Sequence, residues 1–200
     1  MKKYDVKTKI GIILMLISIS GLFGFIYEFI FYYFNGGMKE FYYRGGNFLP
    51  WIDIYALGAL VIFFLTRNTK SKLKVFLISL ISCGVLEYLA GYLIYIFQNG
   101  ARYWDYNTEI LNFGNINGFI CLRCVLFLGL SGLILMYIIM PFIYKLADKK
   151  HFIIYSYIIG IIVLVDCLYN LIVVRVLPVK SASEIYKSMG VKYVKFPKYK

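Results

Sequence analysis

The chain has 200 residues, of which 61% are hydrophobic and only 16% charged, and its net charge is +12. An ordinary soluble domain is about 25% charged, so this composition, with a mean hydropathy of +0.73, excludes a conventional water-soluble fold and points to lipid as solvent. The basic excess sits in helix flanks and the tail, which accounts for it without a nucleic-acid surface.

A helix crossing the hydrocarbon layer needs about 20 mostly apolar residues. Such runs are predicted at 10–33, 49–66, 73–97, 116–144 and 152–177. None alternates with period two, so a transmembrane barrel is excluded, and lipid tolerates no other spanning backbone. The expected fold is an all-α membrane protein, a bundle of about five transmembrane helices with short loops over residues 1–177, followed by a basic, aromatic tail at 178–200.

The first run follows "MKKYDVKTK". It is too long for a signal-peptide core and no small-x-small site closes it, so it reads as a retained helix. Glu28 lies late in it. The first connection, "NGGMKEFYYRGGNFLP", is rich in glycine turns and carries Arg44. The second run is the shortest, with Pro50 and Asp53 at its start. The third carries Glu87 amid Cys83, Gly84, Ala90 and Gly91 at helical spacing, small residues that let another helix approach.

The next connection, "NGARYWDYNTEILNFGNING", holds Arg102, Trp104, Asp105 and Asn117, and reads as a lid or an interfacial aromatic belt. Within it "GNING" is a turn, with Asn115 or Asn117 as candidate cap of the fourth helix. The fourth helix contains Arg123 and the fifth Asp166, with Asn170 on the same face.

Lys2, Lys3, Lys7, Lys9, then Arg67, Lys70, Lys72, Lys74, then Lys145, Lys149 and Lys150 fall on one side of the alternating crossings, against Lys39, Arg44 and Arg102 on the other. This bias puts the N-terminus in the cytoplasm. The tail opposes it, since Lys180, Lys187, Lys192, Lys195, Lys198 and Lys200 then lie outside. Its Lys, Tyr and Phe suit an anionic lipid headgroup layer; a solvated, frayed end is the alternative.

Ionisable groups in a bilayer cost a few kcal/mol or more and face a bundle interior or a wet cavity. From a rise of about 1.5 Å per residue, Glu28, Asp53, Glu87, Arg123 and Asp166 all fall in the same half of the membrane. Their excess of acid calls for a proton, a cation or a cationic ligand group. They form the candidate substrate or ion site, with Arg44, Arg102, Trp104, Asp105 and Asn117 as its outer gate. An Arg–carboxylate network that fixes helix register is the alternative.

No catalytic residue, cofactor or metal set is expected. Cys121 and Cys124 form a CxxC, but on an apolar helix and without a thioredoxin-like context, which argues against redox chemistry. His151 is the only histidine, so a Cys/His zinc site is not expected. No Walker loop or nucleophile motif is present, so ATP would have to bind another subunit.

The stretches "GFIYEFIFYY", "YYRGGNFLPWIDIYALGAL", "CGVLEYLAGYLI", "GARYWDYN" and "NINGFICL" leading to "LGLSGL" together resemble a bacterial family of multi-pass membrane proteins labelled ABC-transporter permease, type IV or CmpB-like. In that family an Arg commonly follows the NxNG glycine; this chain has Phe119 there and Arg123 four residues on. The resemblance implies a bacterial plasma-membrane permease moving an unknown solute or cation, oligomeric or partnered with an ATPase subunit. The competing expectation is a non-transport scaffold or accessory protein, or a lipid-acting membrane enzyme.

Overall fold

A computed structural model describes residues 4–35, 42–43 and 45–193. Lys2, Lys3, Lys39, Arg44, Lys195, Lys198 and Lys200 lie outside the described residues. The protein is an all-α membrane protein of the helical-bundle class, built from α1 (Val6–Asn35), α2 (Asp53–Thr66), α3 (Lys72–Phe97), α4 (Leu122–Ala147), α5 (Phe152–Val176) and a short α6 (Ala182–Ser188). Among the described residues, the spans Val6–Phe31, Lys72–Phe97, Leu122–Ala147 and Phe152–Val176 are long and apolar enough to cross a membrane. The α2 helix has 14 residues, about 21 Å of rise against a hydrocarbon core of about 30 Å.

Local chemistry sets the helix ends. The Ser71 hydroxyl caps α3 by accepting the Lys74 N–H, and the helix ends in a turn through Asn99 and Gly100, both at positive φ. Helix α4 begins at Leu122 instead of the expected Ile116. The residues between look apolar enough to extend it, but Gly114, Asn117 and Gly118 hold positive φ and Ile116 bridges antiparallel to Ile120, a tight hairpin incompatible with a right-handed helix. Neither expected asparagine caps α4. Cys121 is the N-cap, and Asn115 accepts the Gly118 N–H at 2.7 Å inside the turn.

Two long helices contain a π turn. In α4 it spans Leu135–Ile139, ahead of Pro141, which offers no N–H to the Tyr137 carbonyl and crowds it. In α5 it spans Tyr169–Val173, where the Asn170 amide inserts into the ladder and donates to the Asp166 carbonyl at 3.0 Å.

The chain divides into two compact units, Met1–Leu60 with Met140–Val194, and Val61–Ile139 with Lys195–Lys200. In the first, α1 packs on α5 through small residues: Gly160 faces Leu14, and Gly11 faces Ser156 and Phe152. Trp51, Ala56 and Val163 form its buried cluster with Ile17, Leu49 and Cys167 against it. The Trp51 indole donates to the Ile17 carbonyl at 3.1 Å and occupies the space a side chain at Gly21 would need. Outward, Ile154, Ile158, Ile161, Ile162, Val165 and Leu168 of α5 are exposed, a surface that suits lipid and not water.

The two ends of this unit are closed separately. At one, Tyr4 donates to the Tyr144 carbonyl and stacks on its ring, and Tyr157 donates to the Lys7 carbonyl. At the other, β1 (Tyr42–Tyr43) pairs in parallel with β2 (Lys192–Tyr193), and the Tyr186 hydroxyl donates to the Phe48 carbonyl at 2.8 Å. The tail therefore returns to the end of the unit that carries the first connection.

In the second unit, α3 lies against α4 along Val75, Ser79, Cys83 and Gly91, buried residues repeating at multiples of four. Across this seam Gly129 faces the Phe76 ring, Gly132 faces Ser79, and Gly84 faces Val125. Without a hydrophobic drive between helices in lipid, such close approach supplies dispersion contacts that hold the pair.

Candidate functional site

Glu87 continues the same four-residue repeat of α3, so the seam that joins α3 to α4 carries a carboxylate near its end. Its Oε1 accepts the Tyr106 hydroxyl at 2.6 Å and its Oε2 accepts the Cys124 thiol at 2.6 Å. Tyr106 comes from the connection, in a single 3-10 turn, Tyr106–Thr108, capped by Asp105. Burial comes first, and the neighbouring Glu87 charge second, in pushing the Tyr106 phenol well above its ordinary value of 10.0, so it stays a donor.

Arg123 projects from the first turn of α4. Its guanidinium lies 5.6 Å from the Tyr106 ring centroid and makes an ion pair with Glu109 of the connection. An acid of the connection thus pairs with Arg123. Tyr106 is bonded to Glu87 and lies under the Arg123 guanidinium.

Above the cluster the connection is knitted to itself. Arg102 donates to the Asn117 carbonyl at 2.7 Å, pairs with Asp105 at 3.6 Å, and lies over the Phe119 ring at 4.5 Å and the Tyr95 ring at 5.2 Å. Fully buried Asp105 accepts the Asn107 main-chain N–H at 3.1 Å and its side-chain amide at 2.8 Å. The Trp104 indole donates to the Phe119 carbonyl at 3.0 Å, and the Tyr106 N–H donates to the Gly118 carbonyl at 3.0 Å. Gly118 is obligatory here: its φ is +74°, and a Cβ would strike Asn107, Asp105 and Arg102. Arg102, Trp104, Asp105 and Asn117 therefore form one layer.

Phe119, standing where the family pattern places Arg, is 4% exposed and receives Arg102. Arg123, four residues after Phe119, does not follow it by one helical turn, because the helix begins only at Leu122.

The carboxylates of the first unit are bound differently. Asp166 accepts the Phe48 N–H at 2.8 Å and the Asn170 amide at 2.9 Å on Oδ1, and the Leu49 N–H at 2.7 Å on Oδ2. Asn170 in turn accepts the Ala182 N–H at 2.9 Å, fixing the start of α6. Asp53 accepts the Asn47 amide at 2.7 Å. Glu28 is half-buried on α1, one turn beyond Gly24, whose open side is filled by the Tyr55 ring. Among the described residues, the structure brings Asp53 and Asp166 together around Asn47–Leu49, and Glu87 and Arg123 together around Tyr106.

Three members of the second cluster escape a sequence reading. Tyr106 and Glu109 sit in a polar loop among many residues of their kind, and Cys124 was weighed only as half of a CxxC. A signal was available for Cys124, since it is adjacent to Arg123 in the first turn of an apolar helix.

No group of three or more His, Cys, Asp or Glu side chains among the described residues is arranged to hold a metal ion. Searches against curated proteins and against solved structures return no match. A family model described as "Putative ABC-transporter type IV" matches residues 15–171, a stretch that includes α2, α3 and the whole Glu87–Tyr106–Arg123 cluster, and the chain belongs to that family.

Proposed function

We propose that this membrane protein is the permease component of a transporter and that it handles its solute or ion at the Glu87, Tyr106, Cys124, Arg123 and Glu109 cluster. The observation that carries this reading is the way Glu87 is held. Its oxygens take hydrogen bonds from a phenol and a thiol, side-chain donors that can rotate away and surrender the carboxylate to an incoming group, at no cost to the backbone. Arg123 adds a cation over the Tyr106 ring, so the cluster offers both signs of charge within an apolar helix pair.

The layer of Arg102, Trp104, Asp105 and Asn117 serves as the gate. Arg102 and Asp105 are spent on each other and on the loop, which keeps the gate shaped when no solute is present. Asp53 and Asp166 belong to the scaffold: main-chain N–H groups would be orphaned if Asp166 left them to bind a ligand. Glu28 remains a candidate lining residue of the first unit.

The chain carries no phosphate-binding loop of its own, and the ATPase is a separate subunit. The bias of basic residues in the connections supports a cytoplasmic N-terminus in a bacterial cell and a tail outside, with Lys180, Lys187 and Lys192 against anionic headgroups.

Glu87→Gln in reconstituted protein tests the reading. The substituted amide keeps an acceptor for Tyr106, so melting should stay near wild type while binding or flux of candidate cations is lost. A large fall in melting temperature with wild-type binding in the surviving protein would make Glu87 a strut and remove the site.

A further inference from the structure

We propose that Cys121 and Cys124 are a reversible dithiol–disulfide pair, oxidised by a small, lipid-soluble two-electron acceptor of the quinone class. The inference uses the same cluster but does not depend on transport.

Three observations meet at this pair. First, Cys121 is the N-cap of α4 and Cys124 the third residue of its first turn. Helix geometry puts the two Cα atoms about 5 Å apart, inside the roughly 4.4–6.8 Å that a disulfide spans. No cap hydrogen bond ties the Cys121 side chain to this helix end.

Second, each sulfur has a neighbour suited to its part. Cys124 already directs its S–H at Glu87 Oε2, 2.6 Å away, which is the geometry of a general base on a thiol. The Arg123 guanidinium interacts with the Cys121 side chain within the same first turn.

Third, the sulfurs are covered. Cys121 is 1% and Cys124 7% exposed, and they sit at the end of a helix long and apolar enough to span a membrane. A folded protein cannot dock an active-site cysteine on atoms so enclosed. A flat, apolar molecule dissolved in the bilayer is the class of acceptor that a pair at the end of such a helix meets.

The electrons balance as follows. Cys124 gives its proton to Glu87 and Cys121 gives its proton to solvent or to the acceptor; the two S–H bonds break and one S–S bond forms. Two electrons pass to the quinone, which takes up two protons, one by way of Glu87, and leaves as the hydroquinone. A reducing thiol reverses the step.

The test uses the full chain in lipid nanodiscs, reduced and then exposed to a short-chain ubiquinone analogue or to oxidised glutathione, with free thiols counted by maleimide mass shift. Of the four cysteines, the proposal expects quinone to remove two from the count. Peptide mapping should place the lost pair at Cys121 and Cys124, and Glu87→Gln should slow the step roughly 10²-fold, the lower range for a lost general base. An unchanged count, a bond that involves Cys83 or Cys167, oxidation by glutathione but not by quinone, or an unaltered rate in Glu87→Gln would each overturn it. Because the readout is a thiol count, loss of the transport reading would leave this result standing, and the reverse is also true.

Discussion

The two units of this protein each place acid in an apolar setting, yet they bind it by opposite means. In the first, Asp166 is gripped by the N–H groups of Phe48 and Leu49; in the second, Glu87 is touched by the side chains of Tyr106 and Cys124. A carboxylate that satisfies main-chain donors is committed to the chain's path, because releasing it orphans groups that cannot rotate to another partner. A carboxylate that satisfies hydroxyl and thiol donors can be released and taken up again. The same residue class in the same kind of sequence context thus takes main-chain donors in one unit and side-chain donors in the other.

The sharpest way to break this contrast is Asp166→Ala. It removes the acceptor for two main-chain N–H groups and the Asn170 amide together, at about 1–3 kcal/mol for each buried group left unsatisfied, and thermal unfolding in detergent should fall by several kcal/mol or the protein should fail to accumulate. Wild-type melting would erase the distinction. Next come the close helix contacts: Gly132→Val puts a branched side chain against Ser79, and overpacking of this kind costs about 1–3 kcal/mol, with protection from proteolysis as the readout.

Tyr106→Phe removes only the hydroxyl on Glu87 and should cost about 1 kcal/mol, while hydrogen exchange quickens around Asp105–Thr108. If exchange there is unchanged, Tyr106 is not what ties the connection to α3. The phenol also gives a pH signature. Its folded value lies above the ordinary 10.0, so its contribution is complete below that pH and is lost as pH rises from there through the folded value; in Tyr106→Phe this alkaline component should vanish from the melting profile.

The smallest effect belongs to α6. Glu184 is held below its ordinary 4.5 chiefly by the Ser181 main-chain N–H and then by its hydroxyl, the capping box of this short helix. Stability from this cap is present above 4.5 and is lost as pH falls below it through the folded value. Cleavage of the tail by an acid-tolerant protease should rise over that window, and Glu184→Gln should flatten the rise.

The class of the fold was legible in the sequence because long apolar runs have few other uses. The start of α4 was not, since Ile116, Phe119 and Ile120 read as helix by hydropathy while the turn geometry of Gly114, Asn117 and Gly118 decides the matter. Glu87 and Arg123 stood out as charges in apolar runs. Their partners did not, because the bonds from Tyr106 and Cys124 to Glu87 close over 19 and 37 positions, and no local period reports such a contact. The bond from Phe48 to Asp166 closes over 118, so that contact too is invisible to any local period.

The parallel pairing of Tyr42–Tyr43 with Lys192–Tyr193 and the bond from Tyr186 to Phe48 carry a consequence for biosynthesis. Contacts so far apart in sequence form late, and ribosomes deliver roughly 5–20 residues per second. The first connection therefore leaves the insertion machinery many seconds before its partner strand exists. During that interval its backbone donors have only water, headgroups or a chaperone to bind, and a ribosome stalled before Ala182 would present an inserted chain with this edge still open.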